Sequence, residues 1–200
     1  TLSSSSAASD VYKRQIFTTR PDTNFGATFI ALAPEGAQLE KLLPLMPNKA
    51  KVEKYIKQAT AKSELDRIAS KEKTGEFTGL YAINNLNGRE MPIYVSDFVI
   101  GTVGTGALVG VPGHDMRDFD FAKAMGIDLL RVVVGSDGDT SEITEASQVQ
   151  EEEGKMINSG FLDGMDIHDA TQKIMDHIVE KGWGEKVVNY KLRDWLFSRQ

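Results

Sequence analysis

A chain of 200 residues with 40% hydrophobic and 26% charged content carries enough apolar material for one domain with a real core. Its formal net charge of -6 excludes a pervasive basic nucleic-acid footprint, so any RNA contact must be local or shared with another part of a larger protein. The lack of Cys excludes disulfides, thiolate metal sites and a cysteine nucleophile, and no apolar run approaches the roughly 18 residues of a membrane span.

Residues 1–15 are rich in Ser and Ala and lack the apolar stretch of a signal peptide, so they read as a disordered or foreign leader. Ile16 to Thr19 are β-prone. Pro21 then forces Arg20 out of the helical region, which predicts a strand ending in a fixed turn. A second apolar strand is expected over residues 27–33. Between 47 and 73 the apolar positions Val52, Tyr55, Ile56 and Ala59, then Leu65, Ile68 and Ala69, recur at helical steps. Asn87-Gly88 between residues 80–84 and 91–99 predicts a hairpin with a tight turn.

Residues 104–122, GTGALVGVPGHDMRDFDFA, open as an apolar strand and break at Pro112-Gly113. Asp115 can then N-cap a helix whose buried stripe includes Phe119 and Ala122. Asp118 falls in its first turn, where the helix dipole favours an ionised carboxylate. Such a wall beside a charged helix start suits a small cationic ligand. Beyond it, residues 129–134 read as a strand, 135–153 as an acidic exposed connection, and 155–158 as a short strand. A helix follows, with Asp166 as N-cap, Ile167, Ala170, Ile174 and Ile178 on one face, and Gly182 as its stop. Strands outnumber helices without strict alternation, which predicts an α+β or small-barrel domain with peripheral helices.

Individual chemical signatures are weak. Gly101, Gly104, Gly106 and Gly110 lie inside a strand pattern rather than between strand and helix, and no P-loop is present. Neither His114, Asp115 and Asp118 nor Asp163, Asp166, His168 and Asp169 matches a zinc or calcium spacing, so no metal is expected. No serine-nucleophile motif occurs. His114 could be a general base or only a hydrogen-bonding histidine near a helix start. The remaining constellation joins residues 18–23 to the 104–122 stretch. Threonine hydroxyls can orient water, Arg20 can grip phosphate or ribose oxygens, and Asp118 can hold an ammonium, yet each also has a plain structural explanation.

Two motifs together, FTTRPDT at 17–23 and GTGALVGVPGHDMRDFDFA at 104–122, resemble the editing domain of leucyl-tRNA synthetase, an insertion into the catalytic Rossmann fold. The tail NYKLRDWLFSRQ at 189–200 resembles the family's return into that fold. The resemblance implies an editing domain over 16–186 and the start of the return over 187–200. Asn24, where the family often has an apolar residue, departs from the pattern. No HIGH-type or KMSKS-type signature is present, so leucine activation is not expected of this chain.

The resemblance implies a β-barrel-centred α+β domain that hydrolyses the ester of norvalyl- or isoleucyl-type mischarged tRNA(Leu). A hydrophobic synthetic pocket separates amino acids one methylene apart by only about 10–200-fold, so a second sieve is needed. By resemblance, Asp118 anchors the α-ammonium and stays ionised. Thr23 blocks leucine, with Val109 and Val111 lining the side-chain pocket. Thr18 and Thr19 hold the water and the reacting carbonyl, and Arg20 positions the terminal adenosine and meets developing charge. Asp115 and Arg117 buttress the arrangement, and His114 supports it. No cofactor is implied for editing; ATP and Mg belong to a synthetic domain absent here. The implied partner is the tRNA 3′ end, with a monomer in the cytoplasm and no membrane. Two alternatives stay open, an editing domain of a valyl or isoleucyl relative and a non-catalytic aminoacyl-adenosine- or RNA-binding module. Deacylation of Thr-tRNA specific for valine would mark the first; binding without turnover would mark the second.

Overall fold

The computed structural model describes residues 16, 18–63, 66–67, 70, 73–102 and 104–186. The expected leader at 1–15, the return segment at 187–200 and the helical positions Leu65, Ile68 and Ala69 lie outside the described residues. The strands are β1 (Phe29–Leu32), β2 (Gly75–Ile83), β3 (Glu90–Ser96), β4 (Ala107–Gly110), β5 (Val133–Val134) and β6 (Lys155–Met156). The α-helices with given bounds are α1 (Ala37–Leu42), α2 (Lys49–Thr60), α3 (Met116–Met125) and α4 (Ile167–Glu180).

One sheet has the order β2-β3-β1-β4, and β5 pairs with β6 in a separate ribbon. The fold is therefore α+β, and neither described sheet closes into a barrel. β1 runs parallel to β3 and antiparallel to β4, so Ile30 sits beside both Ile93 and Val109. All four β1 residues are buried, as a strand covered on both faces requires. On one face Ile30, Leu32 and Ile93 pack with Leu39, Leu42 and Val52 of α1 and α2. On the other, Phe29 and Ala31 meet Phe121 and Ala122 of α3. Burial of the Phe121 ring at 0% exposure stabilises this junction by roughly 3 kcal/mol.

Gly110 permits the junction, since a Cβ there would lie 2.1 Å from the Phe29 ring. The hairpin forms, with β2 starting five residues before the expected 80–84 arm and β3 ending at Ser96, short of the expected 99. α4 follows its expected cap and face: Asp166 accepts from the His168 N–H, and Ile167, Ala170 and Ile174 are buried. These residues pack with Val133, Met156 and Phe25, tying the ribbon to the segment after Arg20.

Other expectations need correction. Ile16, Thr18 and Thr19 are in no strand, and Phe17 lies outside the described residues. Of residues 129–134 only Val133 and Val134 pair as strand. The acidic stretch 135–153 is not a plain exposed connection: Ile143 is 4% exposed, and the buried Arg131 guanidinium binds Ser141 O at 2.8 Å and Asp139 at 3.0 Å. Charge density hid a loop that folds around one arginine.

Candidate functional site

Two short segments carry the predicted site residues. The first is the turn Arg20 to Gly26, in which Pro21 opens a 3₁₀ helix, Pro21–Gly26, with its φ already set. Arg20 grips the fully buried Asp22: Nε lies 3.0 and 3.2 Å from the two carboxylate oxygens, and Nη2 lies 2.7 Å from Oδ2. A third donor, Nη1, binds the carbonyl of Glu151. Of the guanidinium's five N–H groups, two thus have no partner among the described residues. The Thr23 hydroxyl donates to Arg20 O at 3.0 Å and the residue is 1% exposed, which fixes a stiff β-branched side chain in place. Thr18 and Thr19 are exposed, and Thr18 Oγ1 accepts the Arg20 N–H at 3.0 Å.

The second segment runs from the end of β4 into α3. Gly113 lets the chain pass close to Leu130, whose carbonyl would sit 2.3 Å from a Cβ there. Asp115 caps α3 as expected, accepting from the N–H groups of Arg117 at 2.8 Å and Asp118 at 3.2 Å. Arg117 is largely exposed and its Nη2 lies 3.3 Å from Asp115 Oδ2, which with the Asp115 charge raises the arginine's pKa. Asp118 is buried, and its Oδ2 accepts the Val111 N–H at 2.9 Å, pinning the helix start to the strand end.

The ionisation of Asp118 departs from expectation. Burial pushes its pKa up to about 7, and the neighbouring Asp115 charge adds to this. The Val111 N–H and Arg117 act in the opposite direction but do not compensate. The position near a helix start therefore does not by itself keep the carboxylate ionised; desolvation of a charge outweighs a screened dipole.

His114 also takes another role. Its Nε2 accepts the Val132 N–H at 2.9 Å, which leaves Nδ1 to donate to Gln150 O at 2.9 Å. Burial lowers its pKa to about 4. A neutral imidazole with both nitrogens bonded to backbone braces two loops and leaves neither nitrogen free to act as a base.

An apolar cavity of about 480 Å³ opens beside these segments, between the sheet face of Ile30, Ile93 and Val109 and the α4 residues Met175 and Ile178. It takes in Thr18 and Val109, whereas Thr23, Val111, His114 and Asp118 are not among its lining residues. What joins the two segments is Glu151: its carbonyl receives Arg20, and its Oε1 accepts the Met116 N–H at 2.9 Å. Asp22 enters the 18–23 constellation with no role of its own, and Glu151 lies in the stretch read as an acidic exposed connection. The adjacency of Arg20 and Asp22 was a signal for the first; nothing local marks the second. Among the described residues no cluster of three or more His, Asp or Glu could hold a metal, and no helix is long and apolar enough to cross a membrane.

Comparison with known proteins gives the family. The family profile described as "Leucyl-tRNA synthetase, editing domain" matches residues 5–179. The chain is 45% identical over 187 residues to a leucine--tRNA ligase of Dehalococcoides mccartyi strain 195, covering 93% of this chain and 22% of that protein. The ligase of strain BAV1 is 44% identical over the same length. Among solved structures, the ternary complex of Agrobacterium radiobacter K84 agnB2 LeuRS with tRNA and LeuAMS contains a chain that superposes with a TM-score of 0.65 at 33% identity, covering 93% of this chain and 20% of that one. The chain thus spans about a fifth of the length of these relatives. With the two predicted motifs, the family profile and the curated relatives in agreement, the chain belongs to the leucyl-tRNA synthetase editing-domain family.

Proposed function

We propose that this chain hydrolyses the ester joining a non-cognate aliphatic amino acid to the terminal adenosine of tRNA(Leu). The observation that carries the reading is Asp118, a buried carboxylate at the end of a strand, held by a backbone amide, in a member of this family. An α-ammonium brought beside it would compensate the carboxylate charge that desolvation now opposes. The exposed Thr18 and Thr19 hydroxyls would hold water and the reacting carbonyl. The two uncommitted N–H groups of Arg20 would meet the terminal adenosine and the developing oxyanion. Val109 and Val111 would contact the amino-acid side chain, and the fixed Thr23 would exclude leucine. Asp115 and Arg117 would hold the start of α3.

The reaction needs no cofactor; ATP and magnesium would serve aminoacylation elsewhere in the larger protein, acting as a monomer in the cytoplasm. The same reading extends to a barrel-centred domain. It is favoured by the Thr28 and Ala33 N–H groups, which carry the β1–β4 pairing past the strand ends to Gly110 O and Gly106 O.

The test is deacylation of norvalyl- and isoleucyl-tRNA(Leu) by the intact protein that carries this chain. The wild type should release both amino acids and spare Leu-tRNA(Leu), while Thr23→Ala should release leucine at least tenfold faster than wild type. Unchanged leucine discrimination removes Thr23 from the filter. Binding of mischarged tRNA without turnover by the wild type leaves a binding module instead.

A further inference from the structure

Near the end of the loop 135–153, Gln150 and Glu151 between them reach both halves of the site. Arg131 gathers the loop through Ser141 O and Asp139, and two hydrogen bonds to Ser141 help to lower the Asp139 pKa to about 2. From that base the chain reaches Gln150, whose carbonyl takes the His114 Nδ1–H and whose N–H donates to Gly113 O at 3.3 Å. Glu151 follows. Its carbonyl takes Arg20 Nη1, and its Oε1 takes the Met116 N–H at the first residue of α3.

That N–H is one of the donors a helix leaves without an internal partner, and a carboxylate there also gains from the helix dipole. We infer that Glu151 is a positioning residue for ester hydrolysis, setting Arg20 at a fixed distance from the first turn of α3 and so from Asp118. The inference rests on the proposed function, in which Arg20 and Asp118 both contact the substrate. Glu151 therefore hydrogen-bonds both Arg20 and the first residue of α3. A site whose reacting groups slip by about 1 Å loses on the order of a hundredfold in rate, so a lost anchor should register in turnover before binding.

Glu151→Ala and Glu151→Gln in the intact protein test this, since glutamine keeps an oxygen acceptor for the Met116 N–H. Glu151→Ala should lower kcat for norvalyl-tRNA(Leu) deacylation about tenfold or more with KM within twofold, and Glu151→Gln should restore most of it. Backbone amide exchange over residues 18–23 and 113–118 should quicken together in Glu151→Ala and stay slow in Glu151→Gln. Wild-type kcat in Glu151→Ala, or equal losses in both variants, would overturn the assignment. So would faster exchange confined to 113–118, because the two halves would then be independent. If the wild type hydrolyses no ester, the proposed reaction fails, and the paired exchange still decides whether Glu151 links the halves.

Discussion

The turn at Asp22 and the helix start at Asp118 each bury a carboxylate, and they compensate it in opposite ways. Asp22, at 0% exposure, faces a guanidinium through Nε and Nη2. Asp118, at 3%, receives one backbone N–H and has a carboxylate neighbour in Asp115. A buried charge paired with a fork of donors is committed to structure, and its removal strands the partner. A buried charge that its surroundings under-compensate is where an incoming cation gains most. Both residues are Asp in charged surroundings, so sequence alone does not separate them; their partners do.

Exchanging the charge at each position should therefore give opposite results. Asp118→Asn keeps the shape and an acceptor for the Val111 N–H. It should lower deacylation by about a thousandfold, the scale of one desolvated ion pair, while leaving urea unfolding unchanged or shifted to higher denaturant. Full activity in Asp118→Asn would mean that an ionised anchor is not required. Asp22→Asn should do the reverse in order of effect. It should destabilise the fold by about 3 kcal/mol, the lower end for a broken buried pair because Arg20 keeps some contact with water. A native-like unfolding midpoint in Asp22→Asn would show that the Arg20–Asp22 pair is not committed to structure.

The same contrast marks what could be seen in advance. The α3 cap at Asp115, the α4 cap at Asp166 with Ile167, Ala170 and Ile174, and the hairpin at Asn87-Gly88 all depend on residues within a few positions of each other. Local rules reach such features. Glu151 contacts Arg20 across 131 positions and Met116 across 35, and the His114 brace depends on Val132 and Gln150. No spacing rule encodes these pairings. The Asp118 carboxylate is a candidate from its place at the helix start, but its ionisation depends on its burial and on the Asp115 charge beside it, which only packing reveals. The pairing of the two motifs into one site likewise came from family resemblance rather than periodicity.

The smallest predicted effect is also the most direct measure of how the two carboxylates differ. Asp118 ionises near pH 7 in the folded state, against about 3.9 for an unperturbed Asp in the unfolded chain. Between those values the native state holds a proton that the unfolded state has lost, so this group makes stability fall as pH rises. Below the unfolded value both states are protonated, and above about 7 both are ionised, so the dependence is confined to that window. Its full slope is about 1.4 kcal/mol per pH unit, which flattens as pH 7 is approached, giving roughly 2 kcal/mol lost between pH 5 and 7. Subtracting the unfolding free energies of Asp118→Asn, measured in urea at each pH, should isolate that decline from the other titrating groups. A difference that stays flat from pH 5 to 7 would mean that the fold compensates the Asp118 charge in full. If Asp118 anchors an ammonium, kcat/KM for deacylation should fall on the acid side with a midpoint near 7, because only the ionised free enzyme binds the cation productively. That midpoint should move to lower pH in kcat, since the bound ammonium stabilises the carboxylate it faces.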